Sequence, residues 1–427
     1  MRGYLLSTKT IKEPLAVRAT TLLRKLLNLK QTVVRGFEFQ MKGIVLDVAP
    51  TTRRARCSEC GRKTRRVHDT YRNRTWRHLD MAGTKVHLRY DIRRVSCKAC
   101  GVRVERVPWA ATSSKFTYEA EDQVGYLAQR LDQTTVSNLM RVAWRTVGDI
   151  TTRVVARHGS KDRLKGLTHI GVDELCYRKP HKYITIVTDH LQNRVVWVGE
   201  GKSSETLGAF FEELGQERCS MLEVVTLDMS AAFIKAVTKS APNAQLIFDR
   251  FHVQRLVHDA LDEVRREQMR TAEEKEDKRA IKGTRWPLQK NPWNLKQHEA
   301  ERLKELQRTN QPLYRAYLLK ESILSILDSR WLYPEQKLEE WFDWAARSRL
   351  PAFVKLARTI RKYKDGILAY IDSGLSNARS EGINSKIRTI TRRTYGFHSA
   401  SSLISFIFLC CSGIDLHPVF KYPNIVH

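Results

Sequence analysis

The spacing of hydrophobic residues predicts three successive helices across residues 118–156. Apolar side chains recur there every three or four positions, as one buried face of each helix requires. These positions are Val124, Leu127, Leu131, Val136, Leu139, Met140, Val147, Ile150 and Val154. Thr134 and Thr135 indicate the start of the second helix, and residues 142–144 form the predicted turn before the third.

Two interpretations fit this three-helix pattern. In a helix-turn-helix, "WRTVGDITTRVV" is the recognition helix, and Arg145, Thr146 and Asp149 face a DNA groove. An ordinary three-helix bundle has the same periodicity, so the pattern alone leaves both interpretations open.

After residue 167 the pattern changes to short apolar strands that end in carboxylates. "LTHIGVDE" predicts a strand ending at Asp173, and residues 182–189 and 193–201 predict a hairpin that follows it. A helix at 204–215, with Ser203 or Ser204 as its cap, precedes a strand at 222–228 that ends in Asp228. A further helix leads to a strand at 244–249 that ends in Asp249. Three strands, helix, strand, helix, strand, helix is the order of an RNase H-like α/β core.

The stretch from residue 255 to about 371 is charged and helical in pattern, which predicts an α-helical insertion. Trp286 and Trp293 lie within it. We expect them in a hydrophobic core, and stacking on a nucleobase is the alternative. Beyond the insertion, Glu381 is the one acid of a basic stretch with Arg379, Lys386, Arg388, Arg392 and Arg393. A solvated helix normally mixes both charge signs, so this pattern indicates an acid and a set of bases with separate functions.

Two matching cysteine motifs predict a structural zinc site. Residues 57–61 read CSECG and residues 97–101 read CKACG, so that Cys57, Cys60, Cys97 and Cys100 supply four thiolates. The glycine after each pair permits the tight turn that aims backbone amides at the sulfurs. "KVHLRYDIRRVSC" alternates like a strand that leads into the second motif. Four cysteines suffice for zinc, so we expect His68 and His78 at the surface or facing phosphate.

Basic residues surround the first cysteine motif, which predicts a surface that contacts the DNA backbone. This cluster comprises Arg53, Arg54, Arg56, Arg62, Lys63, Arg65 and Arg66, followed by Arg72 and Arg74.

The net charge of the whole chain supports the same interpretation. It has 427 residues, 75 Lys and Arg against 46 Asp and Glu, a net charge of +29 and a pI of about 10.0. Such a surplus of positive charge favours a nucleic-acid partner.

A membrane partner and an export route are not indicated. The longest apolar run, Leu403 to Cys411, is too short to span a bilayer, and the N-terminus lacks an apolar signal-peptide segment. Eight cysteines without an export signal point to a reducing cytoplasm. We therefore expect a cytoplasmic, nucleoid-associated protein.

The strand-end carboxylates predict a catalytic metal site. Neighbouring strands can bring Asp173 and Asp228 together, and like charges that close repel unless a divalent cation lies between them. Glu381 is the candidate third ligand. Two Mg²⁺ ions about 3.5–4 Å apart, or Mn²⁺ in their place, activate the attacking oxygen and stabilise the leaving oxygen in phosphodiester chemistry. Asp189 is expected to cap a turn, and Glu174, on the opposite strand face from Asp173, is expected to be structural.

Several motifs resemble the ISL-three family of bacterial insertion-sequence transposases. They are "GVDE" (171–174), "LDMSAAF" (227–233), "FDRFHV" (248–253), "GTRWPLQKNPWNL" (283–295) and "SNARSEGINSKIRTITRRTYGF" (376–397), together with the paired cysteine motifs. The resemblance covers the chain from about residue 25. It implies a DDE transposase with an RNase H-like core.

The resemblance also implies roles for individual residues. Asp173, Asp228 and Glu381 would be the catalytic triad, and Asp249 and His252 would match a D-x-x-H element near the active site. The residues that flank Glu381 would contact terminal phosphates: Asn377, Arg379, Asn384 and Lys386. Such an enzyme would bind the terminal inverted repeats of its element, cleave the ends and transfer the 3′-hydroxyls to target DNA. Synapsis of two ends would require a homodimer or a higher oligomer.

The predicted architecture is multidomain α+β. An N-terminal arm (1–50) precedes a zinc ribbon (51–108) and a helix-turn-helix (109–160). The RNase H-like catalytic core (161–254 and 372–427) is interrupted by the helical insertion (255–371). Two alternatives remain: a structure-selective nuclease of the RNase H superfamily, and a domesticated DNA-binding repressor without catalysis.

Overall fold

The computed structural model describes residues 18–178, 180–328, 332–375, 378–394, 397 and 399–418, and for residues 378–380 it describes the backbone alone. The chain divides into two compact units. The first is Met1–Arg157 with Asp415–His427, of which residues 18–157 and 415–418 are described. The second is His158–Ile414.

The first unit is built on a five-stranded sheet with a small two-stranded sheet beside it. Its elements are α1 (Ala19–Leu26), β1 (Thr32–Gln40), β2 (Gly43–Pro50), β3 (Ala55–Arg56), β4 (Lys63–Thr64), β5 (Val67–Arg77), β6 (Val86–Cys97) and β7 (Gly101–Val104). The larger sheet has the order β1-β2-β6-β5, and β7 pairs with β6. Trp76, Leu46 and Leu88 are fully buried in its core.

The predicted boundary at residue 50 is wrong for this sheet. β2 pairs in parallel with β6, from Ile44 opposite Val86 to Asp47 opposite Arg89. Residues 32–50 therefore belong to the sheet that carries the second cysteine motif and do not form a separate arm. The predicted strand at 85–97 is confirmed as β6. Between the cysteine motifs, β5 and β6 form a long antiparallel hairpin.

Three helices complete the first unit, as the periodicity predicts: α2 (Tyr118–Ala128), α3 (Gln133–Met140) and α4 (Trp144–His158). The N-cap of α3 is Asp132, whose carboxylate accepts a 2.9 Å hydrogen bond from the Thr135 amide. The helix thus begins one residue before the predicted threonines. Arg141 adopts a left-handed conformation (φ 52°) that ends α3, so the turn lies at 141–143.

The second unit contains a mixed five-stranded sheet. Its strands are β8 (His169–Arg178), β9 (Lys182–Asp189), β10 (Arg194–Glu200), β11 (Val224–Leu227) and β12 (Gln245–Phe248). Their order is β10-β9-β8-β11-β12. β8, β9 and β10 are antiparallel neighbours, whereas β11 runs parallel to both β8 and β12. α5 (Ser204–Leu214), α6 (Gln216–Cys219) and α7 (Ala231–Ser240) connect the strands.

The expectation that the first strand ends at Asp173 is wrong. β8 continues to Arg178 because it pairs with β9 along this whole length, out to Arg178 opposite Lys182. Asp173 therefore lies inside a strand. The predicted turn cap is confirmed: the Asp189 carboxylate accepts hydrogen bonds from the amides of Leu191 (2.9 Å) and Gln192 (3.1 Å).

Helices fill the rest of the second unit. They are α8 (Arg250–Thr271), α9 (Lys275–Ile281), α10 (Arg285–Gln289), a short 3-10 helix (Pro292–Asn294), α11 (Gln297–Thr309), α12 (Gln311–Asp328), α13 (Pro334–Arg347), α14 (Pro351–Lys362), α15 (Lys364–Ser373), α16 (Ala378–Arg393) and α17 (Ala400–Cys411). One continuous hydrophobic core extends from the sheet into helices α8 to α15, from Leu164 to Ile367. In the described part of the chain, no helix is both long and apolar enough to cross a membrane.

Candidate active site and zinc centre

The strand registers place three aspartates in one row across the sheet of the second unit. β11 pairs with β8 with Thr226 opposite Gly171, and with β12 with Leu227 opposite Phe248. Continuing these registers sets Asp228 level with Asp173 on one side and with Asp249 on the other. The row lies at the C-terminal ends of the parallel strands β11 and β12.

Asp173 is a carboxylate whose pKa is strongly raised. Burial raises its pKa to about 6, and the nearby charges of Asp228 and Asp249 add to the shift. The side-chain amide of Asn384 donates a hydrogen bond to its Oδ2 atom, and its Oδ1 atom accepts from the Glu174 amide at 2.7 Å. Asp173 is thus held in position from both sides, while its negative charge is disfavoured by its surroundings.

Asn384 connects α16 to the row of aspartates. It is 2% exposed, and its bond to Asp173 joins residues that are 211 positions apart in the sequence. The Asn384 side chain is buried and engaged with a carboxylate, and its contact with terminal phosphates stays a prediction. Sequence reasoning missed this role, since an asparagine within a basic stretch gives no signal of a buried partner.

Glu381 lies in the first turn of α16, three residues before Asn384, and it is exposed. Residues three apart on a helix are neighbours on its surface, so Glu381 is presented beside the residue that holds Asp173. The Lys386 ammonium donates to the Cys410 carbonyl at 2.5 Å, so this lysine has a partner within the protein. Arg392 is exposed. Asn377 and the side chain of Arg379 lie outside the described residues.

Asp249, the third aspartate of the row, and His252 stand at the start of α8. Asp249 is buried and is the N-cap of the helix, accepting from the Phe251 amide at 3.2 Å. Burial raises the pKa of Asp249, and the charge of His252 lowers the pKa of both Asp249 and Asp173. His252 of the predicted accessory pair is therefore electrostatically coupled to the row, and Asp249 also caps a helix.

The four predicted zinc ligands converge in the first unit. The sulfurs of Cys57, Cys60, Cys97 and Cys100 all lie within 4.8 Å of one another, and those of Cys60 and Cys97 are 3.5 Å apart. Thiolates ~2.3 Å from a tetrahedral zinc ion stand roughly 3.8 Å apart, so the group fits zinc. Among the described residues, the acids of the second unit do not form so tight a group.

Backbone geometry explains the repeated glycine of the two cysteine motifs. Gly61 and Gly101 adopt left-handed conformations (φ 70° and 74°) that other residues rarely take. In the second motif, the backbone amides of Ala99 and Cys100 donate hydrogen bonds to the Cys97 sulfur. These bonds lower the pKa of Cys97 to about 6. A thiolate stabilised in this way is the form that binds metal.

Comparisons with known proteins agree with this architecture. An ISL3-family model described as "Transposase" matches residues 170–407. A model described as the zinc-finger of transposase IS204/IS1001/IS1096/IS1165 matches residues 53–100, and the "Helix-turn-helix domain of transposase family ISL3" matches residues 105–155. This chain belongs to the ISL3 family of transposases. The resemblance to the ISL-three family and the predictions of a zinc ribbon and a helix-turn-helix are confirmed.

Individual relatives match this transposase over most of its length. The "Transposase for insertion sequence element IS1557" of Mycobacterium tuberculosis, strains CDC 1551 / Oshkosh and H37Rv, is 36% identical over 428 residues. That match covers 93% of this chain and 96% of the relative. The "Transposase for insertion sequence element IS1001" of Bordetella parapertussis is 30% identical and covers 82% of this chain and 86% of the relative.

The zinc ribbon of this transposase presents most of its predicted basic cluster to solvent. The exposed members are Arg53, Arg54, Arg56, Arg62, Lys63, Arg65, Arg66 and Arg72. Arg74 differs, because its guanidinium donates to the Thr112 carbonyl at 2.6 Å and lies 4.8 Å from the Trp76 ring centroid. It supports the fold of the ribbon. In the helix-turn-helix, Arg145 and Asp149 are exposed and Thr146 is half-buried at the start of α4.

Two expectations about buried and exposed residues of the transposase are wrong. His78 was expected at the surface, but it is 2% exposed and bonds to Thr117 and to the Leu27 carbonyl, whereas His68 is exposed. Trp286 and Trp293 were expected in a core, but they are 66% and 75% exposed. Hydrophobicity predicts that a tryptophan favours burial, but it does not identify the residues available to cover it.

Proposed function

We propose that this transposase cleaves the ends of its insertion sequence by a DDE mechanism, with Asp173, Asp228 and Glu381 as the catalytic acids. The observation that carries the proposal is the arrangement around Asp173. Strand register brings Asp228 and Asp249 level with it, and α16 reaches it through Asn384, three residues after Glu381. This arrangement supports a site in which β8, β11 and α16, which are distant in sequence, would each supply one carboxylate.

The donor set suits a hard divalent cation. Its side chains are carboxylates, and oxygen ligands favour Mg²⁺ or Mn²⁺ over softer metals. Burial is the main cause of the raised pKa of Asp173, and a bound cation would offset this cost of ionising the carboxyl. Asp173, Asp228 and Glu381 would hold two such ions. Bound there, the metal would lower the pKa of an attacking water and stabilise the leaving oxygen.

The residues around the acids have supporting functions in this proposal. Asn384 orients Asp173, and Asp249 fixes the start of α8 so that His252 stays near the row. The exposed Arg388 and Arg392 follow Glu381 on α16 and would hold DNA phosphates. The sheet order β10-β9-β8-β11-β12 supports an RNase H-like core. β10, β9 and β8 are antiparallel neighbours, and β11 and β12 run parallel to β8.

The first unit supplies the DNA-binding modules for the proposed reaction. The zinc ribbon and the helix-turn-helix would bind the terminal inverted repeats. The core would hydrolyse the phosphodiester at each end, and the freed 3′-hydroxyl would attack target DNA. The substrates are therefore double-stranded element ends and double-stranded target DNA, and pairing of two ends would require at least a homodimer.

A cleavage and strand-transfer assay tests the proposal. The full chain is incubated with a duplex of the element's end and a target plasmid, in Mg²⁺, Mn²⁺ or EDTA. Wild type is expected to release 3′-hydroxyl ends and join them to plasmid with metal only, whereas Asp173→Asn and Glu381→Gln bind the end but lower cleavage by at least about 10³-fold. Ser385→Ala, an exposed neighbour on α16, is the control and should cleave normally.

The alternatives give different results in the same assay. Binding of the ends without cleavage in any metal would favour a repressor. Cleavage that follows branched or flapped DNA structure, and not the end sequence, would favour a structure-selective nuclease.

Asn384→Ala separates positioning from catalysis. It should lower cleavage by about tenfold and raise the Mg²⁺ concentration needed for half-maximal rate, because Asp173 loses its orienting partner.

A further inference from the structure

A basic cleft of about 470 Å³ lies in the first unit, where three turns of the chain meet. They are the β1–β2 turn, the turn that leads into β6, and the turn between α3 and α4. The cations that line the cleft are Lys42, Arg77, Lys85 and Arg141, and His87 lies among them. The described residues that line this basic cleft include no carboxylate, so its walls favour an anion.

Gly43 allows the β1–β2 turn to approach residue 85 closely. Its φ is 121°, and a Cβ atom at this position would lie 2.1 Å from the Lys85 carbonyl oxygen. The Ile44 amide donates to the same carbonyl at 2.8 Å. This approach fixes Lys42, which precedes the glycine, beside the same cleft as Lys85. Lys42 is exposed and Lys85 is half-buried, so a ligand in solution can reach both side chains.

Asp80 holds two guanidinium groups at the basic cleft. Its carboxylate accepts hydrogen bonds from Arg77 of β5 and from Arg141, which ends α3. Arg141 also donates to the Gly83 carbonyl at 2.7 Å. One carboxylate thus serves two cations, and the turn of the helix-turn-helix is tied to the ribbon at this point.

Positive charge remains in surplus at the basic cleft. In the described part of the chain, the ammonium groups of Lys42 and Lys85 make no ion pair. Asp80 offsets one of the four positive charges, so three are left without a carboxylate. β5 sets Arg77 directly opposite His87. Burial lowers the pKa of His87, and the charges of Arg77 and Lys85 lower it further. Like charges gathered in this way are costly unless an anion neutralises them.

The position of the basic cleft in the fold indicates which anion it binds. Arg141 lies in the turn that leads directly into the recognition helix α4, which begins at Trp144. In a helix-turn-helix, the first residues of the recognition helix contact base edges, while nearby parts of the protein contact the backbone. A phosphate beside the groove carries one negative charge and oxygens that accept hydrogen bonds from ammonium groups.

We propose that the basic cleft binds one backbone phosphate of duplex DNA, with Lys42 and Lys85 as its direct ligands and Arg77 and Arg141 as charges fixed by Asp80. The residues that match the transposase zinc finger begin at 53, so Lys42 lies before them. The inference therefore gives the β1–β2 hairpin a DNA-binding function. It rests on the proposed function only in taking duplex DNA as the ligand.

Equilibrium binding of charge-neutralised variants tests the proposal. Fluorescence anisotropy measures binding of the full chain to a duplex of the element's end and to an unrelated duplex, in buffer without Mg²⁺ or chelator. Lys42→Gln and Lys85→Gln should each weaken binding of both duplexes by roughly tenfold, because each loses a charge-assisted hydrogen bond to phosphate. The double variant should lower the slope of log K against log salt by about 1, since one phosphate is no longer neutralised.

A lysine elsewhere in the chain provides the matched control. Lys337 of α13 donates to Glu340 at 2.6 Å, so Lys337→Gln removes the same charge from a residue that already has a carboxylate partner. It should bind both duplexes as wild type does. Zinc content and circular dichroism, measured for every variant, confirm that the first unit is folded.

Neutral phosphates then locate the contact. A set of end duplexes carries one methylphosphonate each, which removes the charge of a single phosphate. Wild type should bind the duplex that is neutral at the cleft phosphate roughly tenfold more weakly than the unmodified duplex. In the double lysine variant, the same methylphosphonate should cause almost no further loss. Methylphosphonates at other contacts should weaken wild type and variant equally, as independent sites do.

Two results would overturn the proposal. Unchanged DNA affinity in both lysine variants would show that the basic cleft does not bind DNA, and weaker self-association of these variants in sedimentation would instead assign it to an acidic segment of a second copy. Full additivity at every methylphosphonate would mean that the lysines act only through long-range charge.

The same titrations judge the proposed function separately. A wild type that does not prefer the element's end to the unrelated duplex would count against binding of the inverted repeats. The lysine variants would still test the basic cleft, because every duplex carries backbone phosphates.

Discussion

At the scale of single residues, His78 shows how a polar side chain becomes part of the core of the first unit. The Leu27 carbonyl can only accept, so His78 Nε2 donates to it at 3.1 Å. The Nδ1 atom is then an acceptor and takes the Thr117 hydroxyl hydrogen at 2.8 Å. The Thr117 oxygen in turn accepts from the Ala120 amide at the start of α2. A neutral histidine thus links α1, β5 and α2.

The protonation of His78 predicts a pH-dependent stability of the first unit. Burial lowers its pKa from 6.5 to about 4, so the unfolded chain takes up the proton first. The stabilisation is present in full above pH 6.5 and is lost as the pH falls toward 4. Between pH 7 and 5 the free energy of opening should fall by about 2 kcal/mol.

Hydrogen exchange of the full chain measures this effect, after correction for the intrinsic pH dependence of exchange. Peptides that contain Thr117 and Ala120 should lose protection as the pH is lowered. His78→Gln should flatten this dependence because glutamine does not titrate in that range. His68→Gln, at an exposed histidine, is the control and should keep the wild-type slope. An unchanged slope in His78→Gln would assign the effect to another group.

At the scale of secondary-structure elements, one buried carboxylate joins two helices of the DNA-binding module. Glu121 of α2 has no exposed surface and accepts from Arg153 (2.6 Å) and Arg157 (2.7 Å) of α4. The Ser114 hydroxyl donates to it at 2.8 Å. These bonds set the relation of α2 to the recognition helix.

Removal of the Glu121 charge should loosen the helix-turn-helix. Glu121→Gln leaves Arg153 without its carboxylate and Arg157 with Asp122 alone, and breaking a buried pair costs roughly 3 kcal/mol. Native-state proteolysis should therefore cut α2 and α4 roughly a hundredfold faster. Asp149→Asn, at an exposed acid of α4, should be cut at the wild-type rate. Equal rates for both variants would mean that the network does not hold the helices together.

The fold of the two cysteine motifs in the first unit should depend on bound zinc. The full chain is expected to contain one zinc ion per chain by metal analysis, and Cys100→Ser should lose it. Chelation should abolish binding to the inverted repeats, because the ribbon loses its fixed turns. Cys176→Ser, at an exposed cysteine of β8, should retain both zinc and binding. Zinc retained in Cys100→Ser would exclude Cys100 as a required ligand.

At the scale of the whole molecule, the net charge of +29 predicts a strongly salt-dependent affinity for DNA. Each phosphate neutralised adds ~0.9 to the slope of log K against log salt. Arg65→Gln with Arg66→Gln should lower that slope by about 2 on any duplex, if each arginine contacts one phosphate. Arg347→Gln, at an exposed arginine 3.4 Å from Asp343, should leave the slope unchanged. Anisotropy titrations at several salt concentrations provide the measurement, and an unchanged slope in the double variant would place the phosphate contacts elsewhere.

Local features of this transposase followed from the sequence because short-range physics sets them. A C-x2-C motif with its glycine needs only a few neighbouring residues to form its turn, and helical periodicity is visible within one element. The zinc ribbon, the three helices of the helix-turn-helix and the order of strands and helices around Asp173 and Asp228 were therefore predictable. So was Asp189 as a turn cap, since its partners are the next few amides.

The tertiary structure alone decided which distant segments meet. Pairing of β2 with β6 joined residues 32–50 to the ribbon, and pairing with β9 carried β8 past Asp173. Asn384 reached Asp173 across 211 residues, His78 was buried against Leu27, and the tryptophans were left outside by a segment anchored on Lys320. The physical reason is common to all of them. A residue's type sets what it can bind or cover, whereas long-range packing determines which partner it receives.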